Sequence, residues 1–271
     1  MFVVLDVGNT NVTVGIIRNG DVATPRRAPT PASRTPDELE AMLDQLLRLD
    51  DKTLDDVSEM VIASVVPAVT DAVMELADRR GIAVLVAESA TMPIPIRVDE
   101  PESVGDDRLV NALAASRLYG KPAIVVDLGT ATTFDVVAAD GAFIGGAIAT
   151  GVGLGLEALA AHTAQLPLVP LVMPQRAIGR DTVSAMQSGA LIGYLGLVAE
   201  LVRAISAELV LDGGDPPKVI LTGGLSNTEW AKAIPGVDAI DPLLTLRGLA
   251  ILHAEVGRRG SKSEPESVAQ A

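Results

Sequence analysis

The sequence contains no cysteine, which removes disulfides, thiolate nucleophiles and cysteine-held metals at once. Its two histidines, His162 and His253, are too few for a histidine-rich metal centre, and neither has a sequence neighbour that would pair with it for catalysis. Aromatic residues are scarce: Phe2, Phe134, Phe143, Tyr119, Tyr194 and Trp230 are all there are, too few for a platform that stacks bases. Basic residues are also in deficit. Lys plus Arg is 21 against 35 for Asp plus Glu, a net charge of −14, so a phosphate backbone is repelled and no nucleic-acid partner is expected. No uncharged apolar run of about 18 residues stands outside Gly-rich or periodic segments, so no membrane partner is expected either. The opening MFVVLDVGNT lacks a basic stretch and loses its apolar character at Asp6, unlike a secretory signal. These absences point to a soluble, cytoplasmic chain.

What is present is core. Of 271 residues, 48% are hydrophobic and 21% charged, a globular composition long enough for about two domains. Residues 2–7 (FVVLDV) form a short apolar run ending in a carboxylate, which predicts a buried strand. Residues 11–18 predict a second strand, Asn19-Gly20 a hairpin turn, and residues 22–28 a third strand weakened by Pro25. Thr35-Pro36-Asp37-Glu38 carries a helix start, with Leu39, Met42, Leu43, Leu46 and Leu47 following at helical spacing. Strands at 60–66 and 82–86, with helices at 69–80 and 107–118, complete a first α/β set, with Leu109, Val110, Leu113 and Ala114 of the last helix turned inward.

A second set begins at 122–127 (PAIVVD). Asp127-Leu128-Gly129-Thr130-Ala131-Thr132 parallels Asp6-Val7-Gly8-Asn9-Thr10-Asn11, an offset of 127 − 6 = 121 residues. Asp6 to Gly20 and Asp127 to Gly141 both span 14 residues (20 − 6 and 141 − 127). A strand at 142–149 follows the second hairpin. The pattern predicts an internal duplication, two similar α/β domains facing each other, at 1–118 and 119–256. Further helices are expected near 154–161, 181–208, 227–233 and 242–256, and a strand at 218–222 runs into Gly223-Gly224. Residues 257–271 are small and polar and are expected to be a disordered tail.

A strand that ends in Asp-x-Gly and turns tightly suits polyphosphate chemistry. Gly8 lets the backbone approach a ligand, and successive N–H groups with Asn9, Thr10 and Asn11 can hold phosphate oxygens. Asp6 can hold Mg²⁺, directly or through water. Gly129, Thr130 and Thr132 can act likewise from the second half, and Gly223-Gly224 offers a close approach for an adenine or ribose. Gly105-Asp106-Asp107-Arg108 opens a helix, where carboxylates either complement the helix dipole or present a general base. Gly189, Gly193 and Gly196 lie along one helical region, so a close helix–helix approach is expected there.

Asp6-Val-Gly-Asn-Thr-Asn11, Gly105-x-Asp-Arg108, Asp127-Leu-Gly-Thr-Ala-Thr-Thr133, Gly145-Gly-Ala-Ile148, Gly179-Arg-Asp-Thr182 and Thr222-Gly-Gly224, in that order, resemble the type III pantothenate kinases. The resemblance implies two duplicated ribonuclease-H-like domains of the acetate-kinase/sugar-kinase/Hsp70-like superfold. It implies ATP and pantothenate as substrates, with phosphorylation of pantothenate to 4′-phosphopantothenate. Asp6, Val7, Gly8, Asn9, Thr10, Asn11, Val12, Thr13 and Thr130 would bind ATP, and Asp107 would accept the proton. Gly105, Asp106, Asp107, Arg108 and Thr182 would line the pantothenate pocket. Asp127 would bind potassium or ammonium, Mg²⁺ would accompany ATP, and the chain would form a homodimer. Two positions depart from the family pattern: Val98 stands where a Tyr contacts substrate, and Thr150 where Pro precedes Gly151. An accessory transcriptional regulator of the same family, or a related kinase acting on another small alcohol, are the alternatives.

Overall fold

The strand β1 (Phe2–Val7) organises the first half of the computed structural model, which describes residues 1–30, 35–211 and 215–260. Val3, Val4, Leu5 and Val7 are buried, as expected of a strand covered on both faces. On one side β1 pairs antiparallel with β2 (Asn11–Arg18), and on the other it runs parallel to β5 (Glu59–Ser64). Asn19 and Gly20 make the hairpin with φ of 54° and 82°, the left-handed conformation that glycine, lacking a Cβ, and asparagine adopt most readily. The strand expected at 22–28 is split into β3 (Asp21–Val22) and β4 (Arg26–Pro29), both on β2. Pro25 supplies no N–H between them. β6 (Ala83–Val86) closes the order β3-β2-β1-β5-β6.

Helix α1 (Pro36–Arg48) starts as its sequence dictates: Thr35 Oγ1 accepts the Glu38 N–H, and the Glu38 carboxylate accepts the Thr35 N–H. Leu39, Met42, Leu43 and Leu47 are its buried face, with Leu46 partly buried beside them. α2 (Pro67–Arg80) begins two residues earlier than expected, with Pro67 in its first turn, and stops at Gly81, φ 65°. α3 (Asp106–Leu118) turns Leu109, Val110, Leu113 and Ala114 fully inward. The last helix, α7 (Leu244–Gly260), overruns its expected end at 256. Residues 257–260 are therefore helical and not tail; residues 261–271 lie outside the described residues. His253 of α7 stacks on Phe2 at 4.1 Å and meets the Glu59 carboxylate, a structural role.

The second half repeats the plan. β7 (Ala123–Leu128) pairs antiparallel with β8 (Ala131–Val137) and parallel with β10 (Lys218–Thr222). β9 (Phe143–Thr150) and the two-residue β11 (Ala239–Ile240) are the edges. The order β11-β10-β7-β8-β9 is that of the first sheet read in reverse. The duplication is not in perfect register. Val7 pairs with Val12 across a turn at 8–11, whereas Leu128 pairs with Thr132 across a turn at 129–131. The second turn is one residue shorter, so the offset falls from 121 to 132 − 12 = 120 after it, and Thr132 matches Val12, not Asn11.

α4 (Val152–His162) follows β9, and α5 (Thr182–Gln187), a π-helical turn (Ser188–Ile192) and α6 (Gly193–Leu211) form one continuous helix. By length and apolar composition this helix alone, among the described residues, could cross a membrane, a feature that a scan for uncharged runs does not show. The helix expected near 227–233 is only a 3₁₀ turn, Ala231–Ala233, cut short before Pro235.

The chain divides into two compact units. One comprises residues 1–95, 99–114 and the chain from 245 on; the other comprises 96–98 and 115–244. The difference from a single cut at 118/119 has a local cause: Leu246, Leu249 and Leu252 of α7 are buried in the first unit. Gly248 is what lets α7 approach α3, because a Cβ there would lie 2.5 Å from the Val110 carbonyl oxygen. Gly248→Ala is expected to cost about 1–3 kcal/mol through overpacking, read as a lower urea midpoint at unchanged m.

Candidate active site

In the first unit the chain leaves β1 for β2 on one side and later returns as β5 on the other, so the carboxyl end of β1 lies at a topological switch point. Asp6 sits there, half-buried, its Cα opposite Thr13 on β2 and Ala63 on β5. The turn beyond it is closed by the Gly8 N–H donating to the Asn11 carbonyl at 3.0 Å. Thr30, which the motif does not include, braces the turn: its hydroxyl donates to the Gly8 carbonyl at 2.7 Å, and its N–H to the Thr10 carbonyl at 2.9 Å. Asn9 and Thr10 are exposed and Asn11 half-buried. Val7, Val12 and Thr13 are buried, so the two valines have only main-chain groups to offer a ligand.

Gly105, Asp106, Asp107 and Arg108 lie at the head of α3 in the same unit, all half-buried. A main-chain hydrogen bond from Ser64, the residue paired with Val7, holds the Asp106 carboxylate. Burial, with the neighbouring Asp107 and Glu88 adding, pushes the Asp106 carboxyl up to about 6 despite that bond. Asp107 is also raised by burial, but the Arg108 N–H, donating to Oδ1 at 2.8 Å, and the Arg108 charge pull it back. A Cβ on Gly105 would lie 2.7 Å from Asp107 Oδ1, so a side chain there would push that carboxylate aside. The geometry presents two adjacent carboxylates of unequal basicity at a helix start.

In the second unit Asp127 occupies the matching switch point, at the end of β7 beside β10. Gly223 carries φ of 91°, and a Cβ on it would meet Asp127 Oδ1 at 2.3 Å and Leu128 N at 2.6 Å. The sequence pattern offers Gly223 to an adenine or ribose; the structure shows its missing side chain spent on Asp127. Gly151 backs the turn in the same way: a Cβ would lie 2.3 Å from the Thr130 carbonyl oxygen and 2.4 Å from that of Gly129, and its N–H bonds Thr130 at 3.1 Å. Thr130 is exposed. Thr132 is fully buried and bonded to Tyr194, so its hydroxyl is not presented to a phosphate as the motif suggests. Val98 packs towards Gly145 of β9, at 3.8 Å from its Cβ direction, and the preceding Arg97 N–H bonds Phe143. Thr182 is the exposed first residue of α5, capped by Asp181, whose carboxylate accepts the Ser184 N–H at 2.9 Å and is held below its usual range by that bond.

Among the described residues no group of three or more His, Asp or Glu is placed to hold a metal alone. A lone Asp6 still suits Mg²⁺, which takes one or two carboxylates and completes its shell with phosphates and water. A lone Asp127 beside turn carbonyls suits a monovalent cation. A surface groove between α1 and α2 is spanned by ion pairs of Arg80 with Glu40 and Asp55 and is a solvated charge network, not a competing site.

Two sheets of one strand order, each with a carboxylate at the end of its central strand, define the class: the α/β fold of the acetate-kinase/sugar-kinase/Hsp70-like superfold. Solved structures agree on the fold. A putative Baf family transcriptional activator from Campylobacter jejuni matches with TM-score 0.61, 17% identity and 94% and 99% coverage of this chain and that one. The ADPNP-bound activator of 2-hydroxyisocaproyl-CoA dehydratase from Clostridium difficile matches with TM-score 0.51, 13% identity and 98% and 99% coverage. At the sequence level, the type III pantothenate kinase family model matches residues 2–204. The type III pantothenate kinase of Rhodospirillum rubrum is 45% identical over 93% of this chain and 98% of its own length, and that of Moorella thermoacetica 38% over 93% and 98%. The chain belongs to the type III pantothenate kinase family.

The raised Asp106 carboxyl makes a test independent of activity. The fold holds a proton on Asp106 between its ordinary value of 3.8 and about 6. The stability this proton confers is complete below the lower value and lost as pH rises through the upper one. Asp106→Asn removes the ionised form and is expected to be more stable than the parent by about 1–2 kcal/mol at pH 8, the two converging near pH 4 in thermal melts.

Proposed function

We propose that this chain transfers the γ-phosphoryl group of ATP to the primary hydroxyl of pantothenate, giving 4′-phosphopantothenate, the first step toward coenzyme A, in the cytoplasm. The observation that carries the proposal is the Gly105-Asp106-Asp107-Arg108 helix start held beside the Asp6 switch point, in a chain with relatives named for this activity. Asp107 takes the hydroxyl proton as the oxygen–phosphorus bond forms and the bond to ADP breaks. Burial raises its basicity, and the Arg108 N–H and charge oppose that rise. Asn9, Thr10, Asn11 and Thr130 hold phosphate oxygens through N–H and hydroxyl groups, Gly8 lets the backbone come close, and Val7, Val12 and Thr13 are the strand frame. Gly105, Asp106, Arg108, Thr182 and Val98 are assigned to the pantothenate side. Asp6 would hold Mg²⁺ and Asp127 potassium or ammonium, whose charge offsets that of the polyphosphate and of a protein at −14.

Asp107→Asn is nearly isosteric and cannot accept the proton. It is expected to keep ATP binding and to lose about 10²–10⁴-fold in turnover, in an ADP-coupled assay with pantothenate run with and without potassium. Near-parental turnover would remove Asp107 from the role.

The same reading includes a homodimer built on the Thr182–Leu211 helix. Leu191, Tyr194 and Val198 face the helix's own core, but Gly189, Gly193 and Gly196 are exposed on another side, with open space where their side chains would be. Ile192 and Leu197 are exposed on that stripe. Bare glycine backbone flanked by exposed apolar side chains suits a two-fold contact with a second copy. A dimer mass by light scattering at micromolar concentration is expected, and Gly193→Leu is expected to shift it to monomer.

A further inference from the structure

The Tyr194 hydroxyl lies 2.6 Å from Thr132 Oγ1, and both residues are buried. Thr132 is the neck of the Gly129–Ala131 turn, its Cα paired with Leu128, so whatever fixes Thr132 fixes the turn between Asp127 and Thr130. The tyrosine ring is fixed in turn by Trp230, edge-to-face at 5.8 Å between centroids. Its place on the helix is specified too. The π turn Ser188–Ile192 ends just before it, and one extra residue in a helical turn rotates everything after it by about 100°. The start of that turn is tied down by Ser188, whose hydroxyl donates to the Ala177 carbonyl at 2.6 Å.

From this geometry we infer that Tyr194 is a positioning residue for the second phosphate turn, acting through Thr132 to set Asp127 and Thr130. The inference rests on the assignment of those two residues to cation and phosphate binding. Burial, partly opposed by the Thr132 bond and reinforced by the Asp127 charge, raises the phenol, so it stays a neutral hydroxyl. Two joined hydroxyls share one hydrogen bond, whichever donates, and leave one O–H proton for a further acceptor, so the pair links helix to turn. Nothing in the Asp-x-Gly-Thr pattern contains Tyr194. It lies 194 − 132 = 62 residues beyond the threonine it binds.

The test compares Tyr194→Phe, Thr132→Val and the double variant in the full-length chain. The readouts are KM for ATP, KM for pantothenate, the half-saturating potassium concentration, and the melting shift on adding Mg·ATP without acceptor. Tyr194→Phe is expected to raise the ATP KM and the half-saturating potassium about three- to tenfold while pantothenate KM stays within about twofold. The double variant is expected to be no worse than the poorer single one, because both remove the same link. An unchanged ATP KM in Tyr194→Phe, a parallel rise in both KM values, or single effects that multiply in the double variant would each overturn the inference. The melting shift separates it from the substrate assignment. A parent chain stabilised by Mg·ATP yet inert on pantothenate refutes that assignment, and the Tyr194 inference then stands or falls on whether Tyr194→Phe weakens the shift.

Discussion

Each sheet depends on one central strand that is antiparallel to its neighbour on one side and parallel on the other. The two kinds of pairing demand different connections. The antiparallel side is reached by a tight turn, the parallel side by a crossover long enough to hold a helix. The strand end where these routes part leaves an opening in the sheet edge, lined by main-chain groups that neither neighbour occupies. Asp6 and Asp127 stand at those two ends. Both carboxylates are half-buried, and the turn next to each is closed by its own hydrogen bond, Gly8 N–H to the Asn11 carbonyl and Gly129 N–H to the Ala131 carbonyl.

The surroundings of the two carboxylates differ. Around Asp6 the turn is longer and side-chain-braced, by Thr30, with exposed Asn9 and Thr10. Around Asp127 the turn is one residue shorter and is approached by two glycines, Gly151 and Gly223, where a Cβ would run into turn carbonyls or the Asp127 carboxylate. A side chain at either glycine would collide with main-chain atoms of the turn, or at Gly223 also with the Asp127 carboxylate.

Asp106 and Asp107 show how neighbouring identical groups are made unequal. Both lose solvation at the head of α3, but only Asp107 is pulled back by the N–H and the charge of Arg108. Asp106 has one main-chain bond and a negative neighbour, and rises to about 6.

The sequence by itself determined the strands, the duplication and the loop residues, because these are local properties: apolar runs, turn residues with positive φ, a capping box at Thr35 and Glu38, and a repeated Asp-x-Gly. It also placed Asp6, Asp107 and Asp127 at element ends. Where it erred, the cause was non-local or a single residue. The one-residue difference between the two turns is invisible until strand register is known, and the helix near 227–233 failed because a short amphipathic stretch before Pro235 has no room to propagate. α7 runs through residues 257–260 because a helix is carried past its apolar stripe by its own hydrogen bonds. Only the tertiary structure assigned Gly223 and Gly151 to Asp127 and its turn, gave Thr30 its brace, buried Thr132 and brought Tyr194 to it. Those contacts join residues from 20 to more than 90 positions apart, and no periodicity or spacing encodes which side chain will be missing opposite which carboxylate.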